Sequence, residues 1–200
     1  MKKITLILTY FLLFVPFILG LSLPYHVDQE ILAELAKNQQ LYEQHPTENE
    51  AIFNLAMSYA YTGQVVKGWK KLKLISDEYA NTVVTKYAQL SKEHSSEWRY
   101  PFKYAFGFFF KKEKEKAIDQ FKRVIEIKPT EVWAYAYIAL IYGEMGNSKK
   151  CLEYCKKALK IEKNATAVYV LQAEAYRREK KYFKALKSTL TYGRLYSKHE

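Results

Sequence analysis

A sequence period of about 34 residues, a length typical of stacked helical units, is the feature that most constrains how this chain can fold. The period shows in three columns: Ala105, Ala139 and Ala173; Phe108, Tyr142 and Tyr176; and Ala117, Cys151 and Ala185. The three columns agree without a gap, so they share one register. Such a fixed period indicates stacked structural units, because a single unit cannot bury its own apolar face and needs neighbours on either side.

The clearest unit spans residues 98–131 and carries a recognisable pattern. Its first half contains Tyr104-Ala105-x2-Phe108, its second half contains Ala117-x3-Phe121, and Pro129 closes it. This pattern resembles the tetratricopeptide repeat, which pairs a first helix with an aromatic and small residues and a second helix with Ala, an aromatic and then Pro. The resemblance implies an all-α fold, a right-handed solenoid of antiparallel helix pairs.

The register divides most of the chain into four units. They span residues 49–82, 98–131, 132–165 and 166–200, the last including a C-terminal helix. The first unit is out of phase with the others, because the spacing from Tyr59 to Phe108 exceeds one period. The excess, residues 83–97, predicts either an extra helix or a loop. Residues 23–48 predict an N-terminal capping helix that starts after Asp28 and ends before Pro46.

Residues 1–22 predict a targeting segment. Lys2 and Lys3 precede an uncharged apolar run over residues 4–23. Two interpretations stay open: an export signal that is cleaved after Ser22, or a transmembrane anchor whose basic tail stays inside. Either one predicts an exported protein, which is periplasmic, extracellular or anchored to the membrane. The same segment is the only predicted contact with a membrane.

Several classes of site are disfavoured by the composition. The net charge is +11, but lysines alternate with glutamates over residues 111–116, which favours a solvated helix face over a nucleic-acid site. Cys151 and Cys155 lie in the packing columns of the repeat, so they predict buried thiols and not a metal or redox pair. The four histidines are scattered, and we identify no catalytic, cofactor-binding or metal-binding group of residues. The sequence predicts a protein that is not an enzyme.

The resemblance also implies where a partner binds, because solenoids of this type present the first helix of each unit on a concave surface. We call the predicted partner-binding residues the aromatic groove. They are Phe53, Met57, Tyr61, Arg99, Phe102, Lys103, Phe106, Phe109, Trp133, Tyr137 and Leu140.

Residues 102–110 are apolar nearly all round, which is typical of a helix that is fully buried or exposes a binding patch. One interpretation is a groove for a peptide with apolar side chains and an acidic neighbour, since Arg99 and Lys103 lie beside the rings. The other is that the extra helix, or a second copy of the chain, covers the rings.

These patterns predict a scaffold at the cell envelope that binds a segment of another protein in the aromatic groove. An alternative function is a self-associating structural module of an envelope assembly. It is based on the last helix, where Leu186, Leu190, Leu195 and Tyr196 have no further unit to pack against.

Overall fold

The computed structural model describes residues 26–76 and 78–196, and the regular structure in these ranges is helical throughout. Ten helices follow one another there: α1 Gln29–Gln44, α2 Asn49–Tyr61, α3 Val65–Leu72, α4 Tyr79–Glu93, α5 Arg99–Phe110, α6 Lys114–Ile127, α7 Val132–Glu144, α8 Ser148–Ile161, α9 Thr166–Arg178 and α10 Tyr182–Tyr196. The predicted targeting segment, residues 1–22, lies outside the described residues. Within the described residues, no helix combines the length and the apolar composition that crossing a membrane requires.

The helices pack in consecutive pairs, as the repeat pattern predicts. The pairs α2/α3, α5/α6, α7/α8 and α9/α10 each form one unit, and α6 packs on α7 as α8 packs on α9. The main hydrophobic core runs through these pairs and reaches as far as Ala175. Small residues of the repeat columns allow the close approach, since Ala105, Ala117 and Ala139 have no exposed surface. The predicted all-α fold of paired helices is confirmed for the described residues.

The turn inside each pair repeats its geometry together with the sequence. An aromatic residue in the last turn of the first helix accepts, on its carbonyl, a backbone hydrogen bond from the residue five positions later. This bond is 2.9 Å long in all four units, with Tyr59, Phe108, Tyr142 and Tyr176 as acceptors. The residue before the donor has a positive φ each time, and it is Gly63, Lys112, Gly146 or Lys180. Such hydrogen bonds satisfy carbonyls that a helix end would leave without a donor.

The segment that exceeds the repeat period belongs to a helix and not to a loop. Helix α3 ends at Leu72, and α4 starts at Tyr79, which lies inside the span that the period assigns to the first unit. Helix α4 buries Ala80, Val83 and Tyr87, so its own apolar face holds it on the core. It packs against α5, where Gly107 lets the two backbones approach. A Cβ at Gly107 would lie 2.9 Å from Val84 Cγ2, closer than real contacts permit.

Helix α1 begins after Asp28, as predicted, but the Asp28 side chain does not cap it. Its carboxylate instead lies 3.3 Å from Lys128 Nζ, at the junction of α6 and α7. From Leu35 onward α1 packs on α2, with Leu35 almost fully buried and with Asn38 donating a hydrogen bond of 2.8 Å to Ser58 Oγ. The helix therefore covers the first unit with its second half, while its N-terminal end reaches across to the later units.

Candidate functional site

The aromatic rings of the predicted groove form one interlocked cluster centred on Phe102. Tyr61 of α2 meets this ring edge-on at 4.8 Å between ring centroids, and Tyr137 of α7 meets it at 5.7 Å. Phe106, on the same helix α5, lies 5.6 Å from the Phe102 ring, and Phe121 of α6 lies 5.3 Å from it. Most of these pairs are edge-to-face, the geometry that the quadrupoles of aromatic rings favour. The cluster therefore joins α2, α5, α6 and α7 into one body.

The predicted groove is not an open surface in this structure. Eight of its eleven residues are buried: Phe53, Met57, Tyr61, Phe102, Lys103, Phe106, Trp133 and Tyr137. Arg99, Phe109 and Leu140 are partly exposed. The expectation that these side chains stand free for a partner is corrected, because two helices of the same chain lie over the first helices of the units.

Helix α4 is the first of these covers. It places Tyr79 and Tyr87 against Phe53, each at 6.1 Å between ring centroids. The sequence left open whether the extra segment covers the aromatic rings, and it does so at the α2 end. Phe109 is covered from another side by Trp69 of α3, at 5.8 Å.

Helix α1 is the second cover, and it enters the groove itself. Val27, two residues before the helix, and Ile31, in its first turn, are buried and line the same cleft as Tyr61 and Trp133. These two aliphatic side chains belong to the same hydrophobic cluster as the groove aromatics. The start of α1, together with Val27 before it, thus occupies the position that the sequence assigns to a partner.

Acidic side chains of α1 complete this contact. Glu30 lies 2.6 Å from Arg99 Nη2, and Glu34 lies 2.9 Å from Arg99 Nε. Glu34 also lies 3.7 Å from the Nζ of Lys103, which donates a hydrogen bond of 3.2 Å to Asn54 Oδ1. Burial lowers the pKa of Lys103, and the charge of Glu34 opposes that shift. The two cations predicted to face an acidic partner are therefore paired with acidic residues of α1.

A third cation holds the start of α1. Lys128 Nζ lies 3.3 Å from both Asp28 Oδ2 and Glu131 Oε2, and 4.5 Å from the centroid of the Trp98 ring. Glu131 is buried, with 4% of its surface exposed. Burial raises the pKa of Glu131 to about 7, although Lys128 and the backbone N–H of Trp133 both favour the charged form. The native fold therefore favours the protonated form of Glu131.

Replacement of Glu131 by Gln is expected to change how stability depends on pH. The native state binds this proton more tightly than the unfolded chain, so the free energy of unfolding falls as pH rises from about 4.5 to 7. Gln has no charge to desolvate, so the Glu131→Gln variant should exceed the wild type by roughly 1–3 kcal/mol at pH 8 and by little at pH 4.5. Urea denaturation at both pH values measures the difference. An equal difference at both would show that Glu131 is not desolvated.

The cleft beside α1 is small and contains one unpaired polar group. It has a volume of about 200 Å³ and lies between the N-terminal end of α1 and the α6–α7 junction. Pockets for small molecules are usually larger, from about 300 Å³ upward. The buried hydroxyl of Tyr61 borders the cleft and has no hydrogen-bond partner among the described residues. In the described part of the chain, no three His, Cys, Asp or Glu side chains are grouped as a metal site requires.

Sequence reasoning missed the residues that fill and clamp the groove. Val27 and Ile31 were not assigned to it, and neither were Glu34, Lys128 and Glu131. One signal for α1 was present: its acidic residues Glu30 and Glu34 are spaced i, i+4, on the side of the helix next to Ile31. That spacing matches a helix whose acidic stripe faces cations. It does not show that the cations belong to α5.

Comparison with protein families matches one segment of the chain. Residues 134–164, which correspond to the predicted third unit, match a family model of the tetratricopeptide repeat. The resemblance found in the sequence is thereby confirmed for that unit. A comparison with curated protein sequences gave no match.

Solved structures with a similar fold include several of MamA. A crystal structure of MamA protein aligns with 82% of this chain and 81% of its own, at 18% identity and a TM-score of 0.57. A second crystal structure of MamA gives 19% identity over 82% and 87% of the chains, with a TM-score of 0.52. MamA from Desulfovibrio magneticus gives 13% identity over 82% and 84%, with a TM-score of 0.53. Identity this low shows a shared fold alone.

Proposed function

We propose that this chain, with a tetratricopeptide repeat at residues 134–164, is a non-enzymatic scaffold that binds a helical segment of another protein in the aromatic groove. In this proposal, α1 occupies the groove until a partner segment of the same chemistry replaces its N-terminal end. The partner segment carries two aliphatic side chains four residues apart, at the start of a helix, with carboxylates beside them.

The observation that carries this proposal is the way in which α1 is seated. Val27 and Ile31 enter the groove, and Asp28 and Glu34 pair with cations at its edge. Recognition of an amphipathic helix in a groove uses similar elements, which are aliphatic anchors and charges at the rim. The groove therefore has the chemistry needed to bind such a segment, whichever chain supplies it.

The unpaired hydroxyl of Tyr61 gives the proposal a second support. A buried polar group without a hydrogen-bond partner costs about 1–3 kcal/mol. A partner segment that places a carbonyl or carboxylate oxygen in the cleft would accept a hydrogen bond from this hydroxyl. Such a segment would then bind better than α1 does.

The proposal also includes a location. Residues 1–22 have the basic start and the apolar run of an export signal or an anchor, so the scaffold is proposed to work at the cell envelope. This element of the proposal depends on the sequence of that segment alone. N-terminal sequencing of the mature protein from a membrane fraction tests it, since a start at residue 23 shows cleavage and a start at Met1 in that fraction supports an anchor.

Variants of the intact chain test groove binding through capture of proteins from an envelope extract of the native host. Val27→Asp should release the N-terminal end of α1, while Leu35 and Asn38 keep its second half in place. If α1 fills the groove in most molecules, release should raise the apparent affinity for the partner by about tenfold or more. Adding Lys128→Glu to this variant should reverse the gain, because the new acid repels an acidic segment.

Val66→Asp is the matched control, since Val66 is 69% exposed on α3, away from the cleft. It should leave capture unchanged. A partner that binds Val27→Asp and Val66→Asp equally well, and is insensitive to Lys128→Glu, would place the binding surface elsewhere and overturn the proposal.

A further inference from the structure

The outward face of the last helix, α10, carries an apolar ridge that nothing in the described residues covers. Phe183, Leu186 and Leu190 follow one another at i, i+3 and i+7, so they share one face. Their exposed fractions are 91%, 55% and 64%. Tyr182 and Tyr196, at the two ends of α10, are also exposed. The opposite face of α10 packs on α9 and buries Ser188 and Leu195, so the apolar ridge is the outward face of a packed helix.

The other units of this chain show that most of the ridge is not a general property of the repeat. The positions one and two periods earlier are exposed in α8 and α6 and carry charges: Lys149 and Glu115 for Phe183, and Lys156 and Lys122 for Leu190. Leu186 differs, since its equivalents Leu152 and Ile118 are apolar and belong to the main hydrophobic core. No described unit covers this side of α10, which accounts for the exposure of Leu186, but not for that of Phe183 and Leu190. Phe183 and Leu190 are thus large apolar side chains at positions where the two earlier units carry solvated charges.

The charges around the ridge also differ from those at the equivalent positions of α6 and α8, because they are more positive. The position of Lys187 carries an acid in both earlier units, Glu153 and Asp119. Residues 180–196 contain five basic residues and no Asp or Glu, whereas α6 and α8 mix both signs. Lys187 and Arg194 lie on the same side of the helix as Phe183 and Leu190, by their helical spacing. The charges on α10 itself are thus all positive, and just before the helix Lys181 lies 3.5 Å from Glu179.

We propose that α10 docks this protein on the surface of an anionic lipid bilayer. An apolar ridge with aromatic residues and a border of Lys and Arg is the pattern of a helix that lies in the membrane interface. The acyl chains take up Phe183, Leu186 and Leu190, and the headgroup phosphates pair with the flanking cations. This docking site is separate from the aromatic groove, because none of its three apolar residues belongs to the core around α1.

A second copy of the chain is a poorer occupant for this face. Two α10 helices that paired through the ridge would bring the cations of one copy close to those of the other. No acidic side chain of α10 could offset this repulsion, since residues 180–196 contain none. An anionic surface has the opposite charge, so the charge pattern favours lipid over self-pairing.

Photocrosslinking on the intact chain tests this docking directly and is independent of how residues 1–22 associate with lipid. The photoreactive residue benzoylphenylalanine is placed at position 183 in one sample and at position 149, the equivalent place on α8, in another. Both samples are irradiated with vesicles of phosphatidylglycerol and phosphatidylcholine. Position 183 should give about tenfold more lipid adduct than position 149, and the excess should disappear on pure phosphatidylcholine. Equal yields at the two positions, or adducts to a second copy in place of lipid, would overturn the proposal.

A charge-restoring variant provides the second measurement. With the probe at position 186, the double substitution Phe183→Lys and Leu190→Lys returns the residue types of α8 to the ridge. Both sites are exposed, so the thermal unfolding midpoint should not change, while the lipid adduct at position 186 should fall about tenfold. An undiminished adduct in the folded double variant would show that the ridge does not dock the protein.

Discussion

Phe102→Ala is expected to lower the free energy of unfolding by about 3–5 kcal/mol, the largest effect that we expect from a single substitution in this chain. The side chain has no exposed surface and touches rings from three other helices. Removal of the ring leaves a cavity that Tyr61, Phe121 and Tyr137 cannot fill, because each is held by its own helix. The loss combines the missing apolar burial with the cost of that cavity.

Urea denaturation followed by circular dichroism measures this loss for the intact chain. Phe183→Ala is the matched control, because it removes the same ring from a site that is 91% exposed and should change the free energy of unfolding by less than about 0.5 kcal/mol. A small effect at Phe102 would mean that the rings stand open, as one of the two interpretations of the sequence allows. The aromatic groove would then be a free surface and not part of the core.

Glu34→Ala is expected to cost about 3 kcal/mol, the second largest effect. The Glu34 carboxylate pairs with two cations, Arg99 and Lys103, whose side chains are themselves largely buried. Without it, Lys103 keeps only the amide oxygen of Asn54 within hydrogen-bond distance in this cluster. A buried cation that loses its counter-charge destabilises a fold by more than the pair itself contributes, since desolvation is no longer offset.

Glu30→Ala provides the comparison, because Glu30 pairs with the same Arg99 one turn away. The Glu30 side chain is 79% exposed, whereas that of Glu34 is 21% exposed. Solvent screens the exposed pair, so we expect a loss of less than about 0.5 kcal/mol at Glu30. The same denaturation assay covers both variants. Equal losses at the two positions would contradict the view that α1 is seated through Glu34.

The repeat period predicted the helical pairs because it is a local and redundant signal. The aromatic of each first helix and the positive-φ residue that follows it fix where the helix ends. Tyr142 and Gly146 show the two together. The same turn hydrogen bond at Tyr59 confirms that the out-of-phase segment forms a repeat turn. Helix positions could therefore be derived from the sequence, even where the register was shifted.

The state of the aromatic groove could not be derived in this way, since it depends on contacts that are remote in sequence. Residues 102–110 are apolar nearly all round, and that pattern fits both a free patch and a covered one. The deciding contacts come from Val27 and Ile31, which lie far upstream near the N-terminus, and from α4. No period connects α1 or α4 to the repeat columns. Only the three-dimensional arrangement shows that they cover the groove.

The close packing of α4 on α5 could likewise not be predicted from the sequence. Gly107 lies in a helix, where glycine lowers stability relative to alanine, so by itself it reads as an unfavourable choice. In the structure its missing Cβ is what allows Val83 and Val84 to reach the backbone of α5. A helix that contacts its neighbour this closely is an integral part of the domain and not a mobile insertion.

Amide hydrogen exchange of the intact chain tests the central claim, that α1 fills the aromatic groove, most directly. Peptides from α1 and from α5 are compared by mass spectrometry in the free protein. We expect residues 31–44 to be protected from exchange to a degree comparable with α5, and we expect the Val27→Asp variant to lose protection in the first turns of α1 while α5 keeps it. Rapid exchange throughout α1 in the wild type, with α5 still protected, would contradict the account and show an empty groove.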